Sequence, residues 1–320
     1  MGVVNTGIKR RARLLGEALR PPRQLTGPGA DAAAPAAQVA PEAATPQKNP
    51  QKTPEKAKPK GPRPPKKTVA LEYGVAAAPR QVEAPVFVLA PVRSGSTLLR
   101  MLLNSHSRIR APHELHLRTL GVELTPGFSD QSMLELGLDK AELEHVLWDR
   151  VLHLELERSG KDVVVDKTPG NVWTWERLRH AWPKAKFLFL LRHPEGVVSS
   201  LENRKSNTAT RAQNEANALK YFEPLERART ELDGHTLTYE DLTSDPERVM
   251  RDVCAYLGVE FEASMLEYGE QDHGRLRPNL GDRSDNIKSG RIQAARTFDE
   301  GAAELSPELA AYASAWGYRD

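Results

Sequence analysis

From residue 86 onward, short apolar runs alternate with longer stretches of helical spacing, and polar turns separate the two. Four apolar runs read as strands: 86–90, 162–165, 186–191 and 235–239. Each leads into a polar turn and then a helical pattern. After the first run, Leu98, Leu99, Leu102 and Leu103 mark one helix face. Residues 139–158 predict a long amphipathic helix, and 209–233 another, with Leu219, Phe222, Leu225 and Leu232 on its apolar side. The stretch 246–258 opens on Pro246 and closes on Gly258, the start and stop signals of a helix. Such alternation predicts a parallel sheet with helices on both faces and ligands at the strand C-terminal ends. Residues 269–291 are rich in Gly, Asp, Arg and Asn with little periodicity, which predicts a loop over the active site. No internal repeat stands out.

Composition changes the picture at the N-terminus. The first 68 residues lack Phe, Trp and Tyr, hold 12 of the 24 prolines, and carry 14 Lys/Arg against 4 Asp/Glu. The near-neutral total charge therefore conceals a basic tail on an acidic body. Residues 26–68, mostly Ala, Pro, Lys and Gln, cannot bury enough apolar surface to offset ordering entropy, so a disordered tail is expected over 1–79. Residues 7–20 have the pattern of a short basic amphipathic helix. Two readings stand for it: peripheral contact with an anionic membrane, or a solvated charge run. There is no apolar stretch of membrane-spanning length and no secretory apolar region. Cys254 is the single cysteine, in a pattern that places it in a helix core, and this usage fits a reducing, cytoplasmic setting. An acidic body and a basic tail without interleaved aromatics argue against nucleic acid as a partner. The remaining residues, 80–320, suffice for one folded domain with a sizeable core.

Two segments carry candidate chemistry. Residues 86–100 read as strand, small-residue turn and helix, and the turn holds Arg93, Ser94, Gly95, Ser96 and Thr97. A helix N-terminus with free N–H groups and a positive dipole end suits a phosphate or sulfate. The Walker pattern is absent, since no Gly-Lys-Ser/Thr occurs there. Residues 186–200 repeat the theme: an apolar strand ends at Arg192, Pro194 opens a helix, and Ser200 lies about two turns along it. Two anion sites at two strand–helix junctions predict a ligand with two separated phosphate groups. The expected fold is α/β, a P-loop-like three-layer sandwich around a central parallel sheet.

These motifs resemble those of sulfotransferases that use 3′-phosphoadenosine 5′-phosphosulfate (PAPS). Arg93 to Thr97 is similar to the family's 5′-phosphosulfate loop, and Arg192 to Ser200 to its 3′-phosphate motif. Asp166-Lys167-Thr168-Pro169 resembles the D-K-[ST]-P stretch of the bacterial and Golgi-type branches. Tyr239-Glu240-Asp241-Leu242 with Asp245-Pro246 is similar to the family's Y-E-D-L…D-P segment. The resemblance runs in order over about 84–320 and implies sulfuryl transfer from PAPS to a hydroxyl, without a metal. It implies Arg93 and Lys167 as cations for the leaving phosphate and moving sulfuryl group, with Ser94, Gly95, Ser96 and Thr97 around the 5′-phosphate. Arg192 and Ser200 would take the 3′-phosphate. Lys288 and Arg291 resemble a C-terminal phosphate-contacting loop, though the stretch departs from the family's G-x-x-G-x-[WF]-[KR] form.

A base must take the acceptor's proton. In Pro112-His113-Glu114-Leu115-His116-Leu117-Arg118, Glu114 falls where the similar tyrosylprotein sulfotransferases carry a catalytic Glu, with His116 and then His113 as the other choices. The two histidines lack the i, i+4 spacing of a zinc-binding H-E-x-x-H. Tyr239 reads either as an adenine contact or as a core aromatic, and Trp173 and Trp175 read as packing. Apolar residues Leu115, Leu117, Leu120, Phe128 and Met133 suggest a lid over the acceptor, which would be a specialised metabolite, lipid or glycan. Two rival functions remain. A small-molecule kinase of P-loop-like fold should show a Walker Lys and a Mg-binding Asp, for which Asp166 is the one counterpart. A non-catalytic nucleotide-binding protein should lack Arg93, Lys167 or Glu114, and all are present.

Overall fold

The computed structural model describes residues 78–204, 206–274, 281–282, 284–295 and 305–318. All lie in one compact unit, Thr68–Asp320. The other unit, Met1–Lys67, lies outside the described residues, and with it the expected helix at 7–20 and nearly all of the expected tail.

Five strands build the sheet: β1 (Val86–Leu89), β2 (Ile109–Arg110), β3 (Val163–Lys167), β4 (Lys186–Leu191) and β5 (His235–Thr238). Their spatial order is β2-β3-β1-β4-β5, and every pair is parallel. In β1, Val86 and Val88 join one core and Phe87 and Leu89 the other. β4 splits likewise into Leu188 and Leu190 against Phe187, Phe189 and Leu191. A strand buried on both faces reads as an unbroken apolar run, which is why these two were visible in the sequence. One core packs Trp148, Leu152, Trp182, Phe222 and Leu225 against the sheet; the other packs Leu99, Leu102, Met250, Val253 and Cys254. Burial raises the Cys254 thiol to about 11, so it behaves as a core residue.

The helices among the described residues are α1 (Ser96–Ser105), α2 (Phe128–Glu135), α3 (Lys140–Ser159), α4 (Trp175–Ala181), α5 (Pro194–Glu202), α6 (Arg211–Glu231), α7 (Tyr239–Ser244), α8 (Pro246–Leu257), α9 (Asp285–Lys288) and α10 (Pro307–Ala315). Local chemistry sets their ends. Asp139 caps α3 by accepting from the Glu142 N–H at 2.7 Å, and Thr210 with Gln213 forms a capping box on α6. Gly160 and Gly258 close α3 and α8 in the left-handed conformation.

Three expectations shift. The second strand runs past 165, because Asp166 and Lys167 pair with Phe87 and Val88 of β1. The last strand stops before Tyr239, where the Thr238 hydroxyl accepts from the Asp241 N–H at 3.0 Å and starts α7. The expected apolar lid is in part core: Leu117 is fully buried, Leu115 and Leu120 pack against the same cluster, and Phe128 stands exposed. The two-residue β2 and the C-terminal α10 were not anticipated, the first too short to show a period.

Candidate active site

The loop between β1 and α1 is built on two left-handed residues, Arg93 at φ 65° and Gly95 at φ 83°. The Ser94 hydroxyl is buried and donates to the Pro91 carbonyl at 2.8 Å, closing the turn. At Gly95 a side chain has no room, since a Cβ would sit 2.2 Å from Cδ2 of Tyr239. No side chain caps α1, so its first N–H groups face the loop, flanked by Ser96 and Thr97. Arg93 donates through Nε to the Ser200 hydroxyl at 3.0 Å and through Nη1 to Asp282 at 3.0 Å. The Asp282 N–H in turn donates to the Thr97 hydroxyl at 3.0 Å.

Arg192 leaves the end of β4 toward the same loop. Its Nη1 donates to the Arg93 carbonyl at 2.6 Å, and its guanidinium lies 4.5 Å from the centre of the Tyr239 ring. Its Nε is buried and has no hydrogen-bond partner among the described residues. Burial pulls this guanidinium below its ordinary range. Ser200, expected beside Arg192, accepts from Arg93 Nε, so a hydrogen bond links the two motifs.

On the other side of β1, Lys167 ends β3 with its side chain 1% exposed. Its Nζ lies 2.5 Å from Oε1 of Glu114, and Oε2 of Glu114 lies 3.4 Å from Nε2 of His116. Burial lowers the Lys167 ammonium, and the Glu114 carboxylate opposes that shift. Asp166 is buried and raised by the loss of solvent, its oxygens accepting from Thr168 Oγ1 at 2.9 Å and Asn171 Nδ2 at 3.0 Å. His116 adopts φ 52°, held by its N–H donating to Thr168 Oγ1 at 3.2 Å. His113 is exposed and turns its Nδ1 to the Glu114 carbonyl at 3.1 Å. Of the three possible bases, Glu114 is the one that touches Lys167.

Sheet order explains the assembly. β3, β1 and β4 are neighbours, so Lys167, Arg93 and Arg192 line one C-terminal edge, with the outer strands about 10 Å apart. Tyr239 follows the next strand, β5, and walls the row against Gly95 and Arg192.

Several participants were not read from the sequence. Arg100 and Asn104, one turn apart on α1, hold both main-chain polar groups of Ala111, three residues before Glu114. Arg100 donates to its carbonyl at 3.1 Å, and Asn104 Oδ1 accepts from its N–H at 3.0 Å. Burial brings Arg100 to about 10. The one available signal was a charge interrupting the apolar run Leu98–Leu103. Asp282 and Tyr318 gave no local signal. Lys288 donates to Asp285 at 3.1 Å, and the Arg291 carbonyl accepts from the Tyr268 hydroxyl at 3.1 Å; neither cation is among the partners of Arg93, Thr97 or Arg192. Trp175 is core, as expected, whereas Trp173 is 43% exposed, with its ring 4.4 Å from that of Tyr221 and Arg118 over it. Among the described residues, no group of three His, Cys, Asp or Glu is placed to hold a metal ion.

Residues 85–263 match the model of the sulfotransferase family. The chain is 24% identical over 201 residues to protein-tyrosine sulfotransferase 2 of Gallus gallus, covering 58% of this chain and 54% of that protein. It is 30% identical over 128 residues to the nodulation protein NoeE of Sinorhizobium fredii, covering 37% and 30%. The chain thus spans about half the length of the tyrosine sulfotransferases it matches. Among solved structures, the sulfotransferase domain from the curacin biosynthetic pathway superposes with a TM-score of 0.54 at 24% identity, covering 74% of this chain and 98% of that one. The sulfotransferase domain of the Synechococcus PCC 7002 olefin synthase gives the same TM-score at 23% identity, covering 74% and 97%. Both likenesses concern the fold.

Proposed function

The chain belongs to the sulfotransferase family, and on that premise we propose that it moves a sulfuryl group from PAPS to a hydroxyl of its acceptor. The observation that carries the proposal is the row of cations along one sheet edge, with the buried Arg192 Nε lacking an acceptor among the described residues. Buried polar groups are almost always partnered, so a buried donor left open marks the place of a ligand anion.

PAPS supplies an activated sulfuryl group on a phosphate leaving group, and the chain's residues position it and balance its charge. Arg192 holds the 3′-phosphate. Ser200 is set beside it through Arg93. Arg93, the N–H of Gly95 and the first turn of α1 with Ser96 and Thr97 receive the 5′-phosphosulfate. The Ser94 hydroxyl, spent on Pro91, shapes the loop while its neighbours bind. Asp282 already shares Arg93 and so competes with the incoming phosphate. Tyr239 acts as the wall that keeps Gly95 and Arg192 in register. Lys288 and Arg291 add positive charge on the segment that reaches the site through Asp282.

Lys167 faces the developing negative charge on the leaving oxygen. Glu114, fixed by Lys167, accepts the proton of the attacking hydroxyl; His116 beside it is the second base. The acceptor is an alcohol or phenol of a metabolite, lipid or glycan. Among the described residues no helix is long and apolar enough to cross a membrane. The proposed setting is cytoplasmic, with peripheral membrane contact through residues 7–20, and cell fractionation with and without those residues tests it.

The kinase reading is disfavoured because the Asp166 oxygens are taken by Thr168 and Asn171 rather than turned to the loop. Thermal unfolding with 3′-phosphoadenosine 5′-phosphate (PAP), ADP, 5′-AMP and ATP-magnesium tests the proposal. PAP at 100 times its dissociation constant should stabilise by about 2.7 kcal/mol, with smaller shifts for the others. A larger shift with ATP-magnesium would replace sulfuryl transfer by phosphoryl transfer.

A further inference from the structure

The C-terminal helix has no place in the motifs, yet it ends against His193, the neighbour of Arg192 in the chain. Trp316 anchors it, its indole N–H donating to Glu226 at 2.9 Å and its ring 4.7 Å from that of Phe222. Gly317 then takes φ 82°, and the Tyr318 N–H donates back to the Ala313 carbonyl at 2.9 Å. This is the glycine-terminated stop of a helix, and it directs Tyr318 toward the start of α5. The Tyr318 ring meets His193 edge-on at 5.0 Å, and its hydroxyl donates to Oε2 of Glu240 at 2.6 Å. The other oxygen of Glu240 accepts from the His193 N–H at 3.2 Å.

Glu240 follows Tyr239, whose ring carries the Arg192 guanidinium, and Arg192 feels the Glu240 charge. An arginine and a carboxylate within reach ordinarily form a direct, often bidentate pair. Here both oxygens of Glu240 are engaged elsewhere. Among the described residues, Arg192 is left with a backbone carbonyl, a ring face and an Nε without a hydrogen-bond partner. Burial and the adjacent carboxylate push the Tyr318 phenol far up, so it remains a donor throughout the working pH range.

We propose that Tyr318 is a positioning residue for the second phosphate of the co-substrate: by tying down Glu240 it keeps Arg192 from being neutralised within the protein. The inference rests on the reading of Arg192 as the 3′-phosphate site. It makes the C-terminal segment a determinant of which nucleotides are accepted, because what Tyr318 protects is the grip on the 3′-phosphate alone.

Calorimetric titration of the full chain with PAP and with 5′-AMP, which lacks the 3′-phosphate, tests it. Tyr318→Phe should weaken PAP about tenfold, the scale of one hydrogen bond to a charged group. Binding of 5′-AMP should change less than twofold. Tyr318→Phe combined with Glu240→Gln should recover most of the PAP affinity, since the competing charge is gone. Equal losses for both ligands, or no recovery in the double variant, would make Tyr318 a packing residue and overturn the inference. If the unaltered protein does not prefer PAP to 5′-AMP, the 3′-phosphate reading of Arg192 falls first and takes this inference with it. A preference that Tyr318→Phe leaves undiminished overturns only the role of Tyr318.

Discussion

Two charge clusters in this domain are built on opposite rules. The first joins the strap before β1 to α3 and α4. Arg80 donates to both oxygens of Glu142 at 2.8 and 2.9 Å, and its Nε to the Ala181 carbonyl at 2.9 Å. Glu142 also faces His145 at 3.3 Å, Arg177 donates to His145 Nε2 at 2.8 Å, and a second Arg177 nitrogen reaches Glu144 at 2.7 Å. Charge there is paired to exhaustion. The second cluster is the row at the sheet edge, where Arg93 rests on a hydroxyl and a carboxylate about a quarter exposed, and the buried Arg192 Nε has no hydrogen-bond partner among the described residues. On the proposed function, the difference separates charge that holds a fold from charge that receives a ligand. Unfinished pairing costs stability, and it is retained where an anion completes it.

Lys167 and Glu114 lie at the site yet are paired as tightly as the structural cluster, so they test the contrast hardest. Lys167→Met should lower the rate of PAP release from PAPS about 100- to 1,000-fold. It should also cost about 3–5 kcal/mol in a denaturant titration, because Glu114 is left buried without its cation. Lys167→Met with Glu114→Gln should recover the stability and leave the rate low. Recovery of both would remove Lys167 from the chemistry.

A smaller effect belongs to the structural cluster. Arg177 donates to His145 Nε2, which requires the neutral ring, and burial followed by the Arg177 charge lowers the imidazole to about 4. In the unfolded chain it titrates near its ordinary value of about 6.5. Its contribution is therefore complete above about pH 6.5 and is lost as the pH falls toward about 4, where the unfolded state alone gains the proton. Denaturant titrations at several pH values should show this acid slope in the unaltered chain and a flatter one in His145→Gln. Identical slopes would place the acid sensitivity elsewhere.

The smallest effect has the opposite sign. Asp282 occupies Arg93 through a pair about a quarter exposed on each side, the kind worth about 0–1 kcal/mol. Asp282→Asn should leave the melting temperature nearly unchanged and tighten PAP up to about fivefold, the affinity equivalent of that energy. Weaker PAP binding would mean that Asp282 orients Arg93 instead of competing for it.

What could be read from the chain follows the range of the forces involved. The helices over 140–159 and 246–257 were visible because caps and apolar periods act within a few residues. β2 was not, being two residues held by pairing with β3. Tyr239 was placed on the strand because its side chain suits one, and the Thr238 cap that begins α7 outweighed that preference.

By itself the sequence determined the parallel α/β plan, the two basic strand ends at Arg93 and Arg192, and the small-residue turn whose Gly95 adopts a conformation other residues avoid. Those depend on periodicity, on residue type and on backbone sterics, all local. Only the tertiary structure decided that Ser200 meets Arg93, that Lys167 meets Glu114, that Asp282 reaches Arg93 and that Tyr318 reaches Glu240. The partners in these contacts stand 53 to 189 residues apart. Sheet order and helix packing bring them together, and no local pattern encodes them.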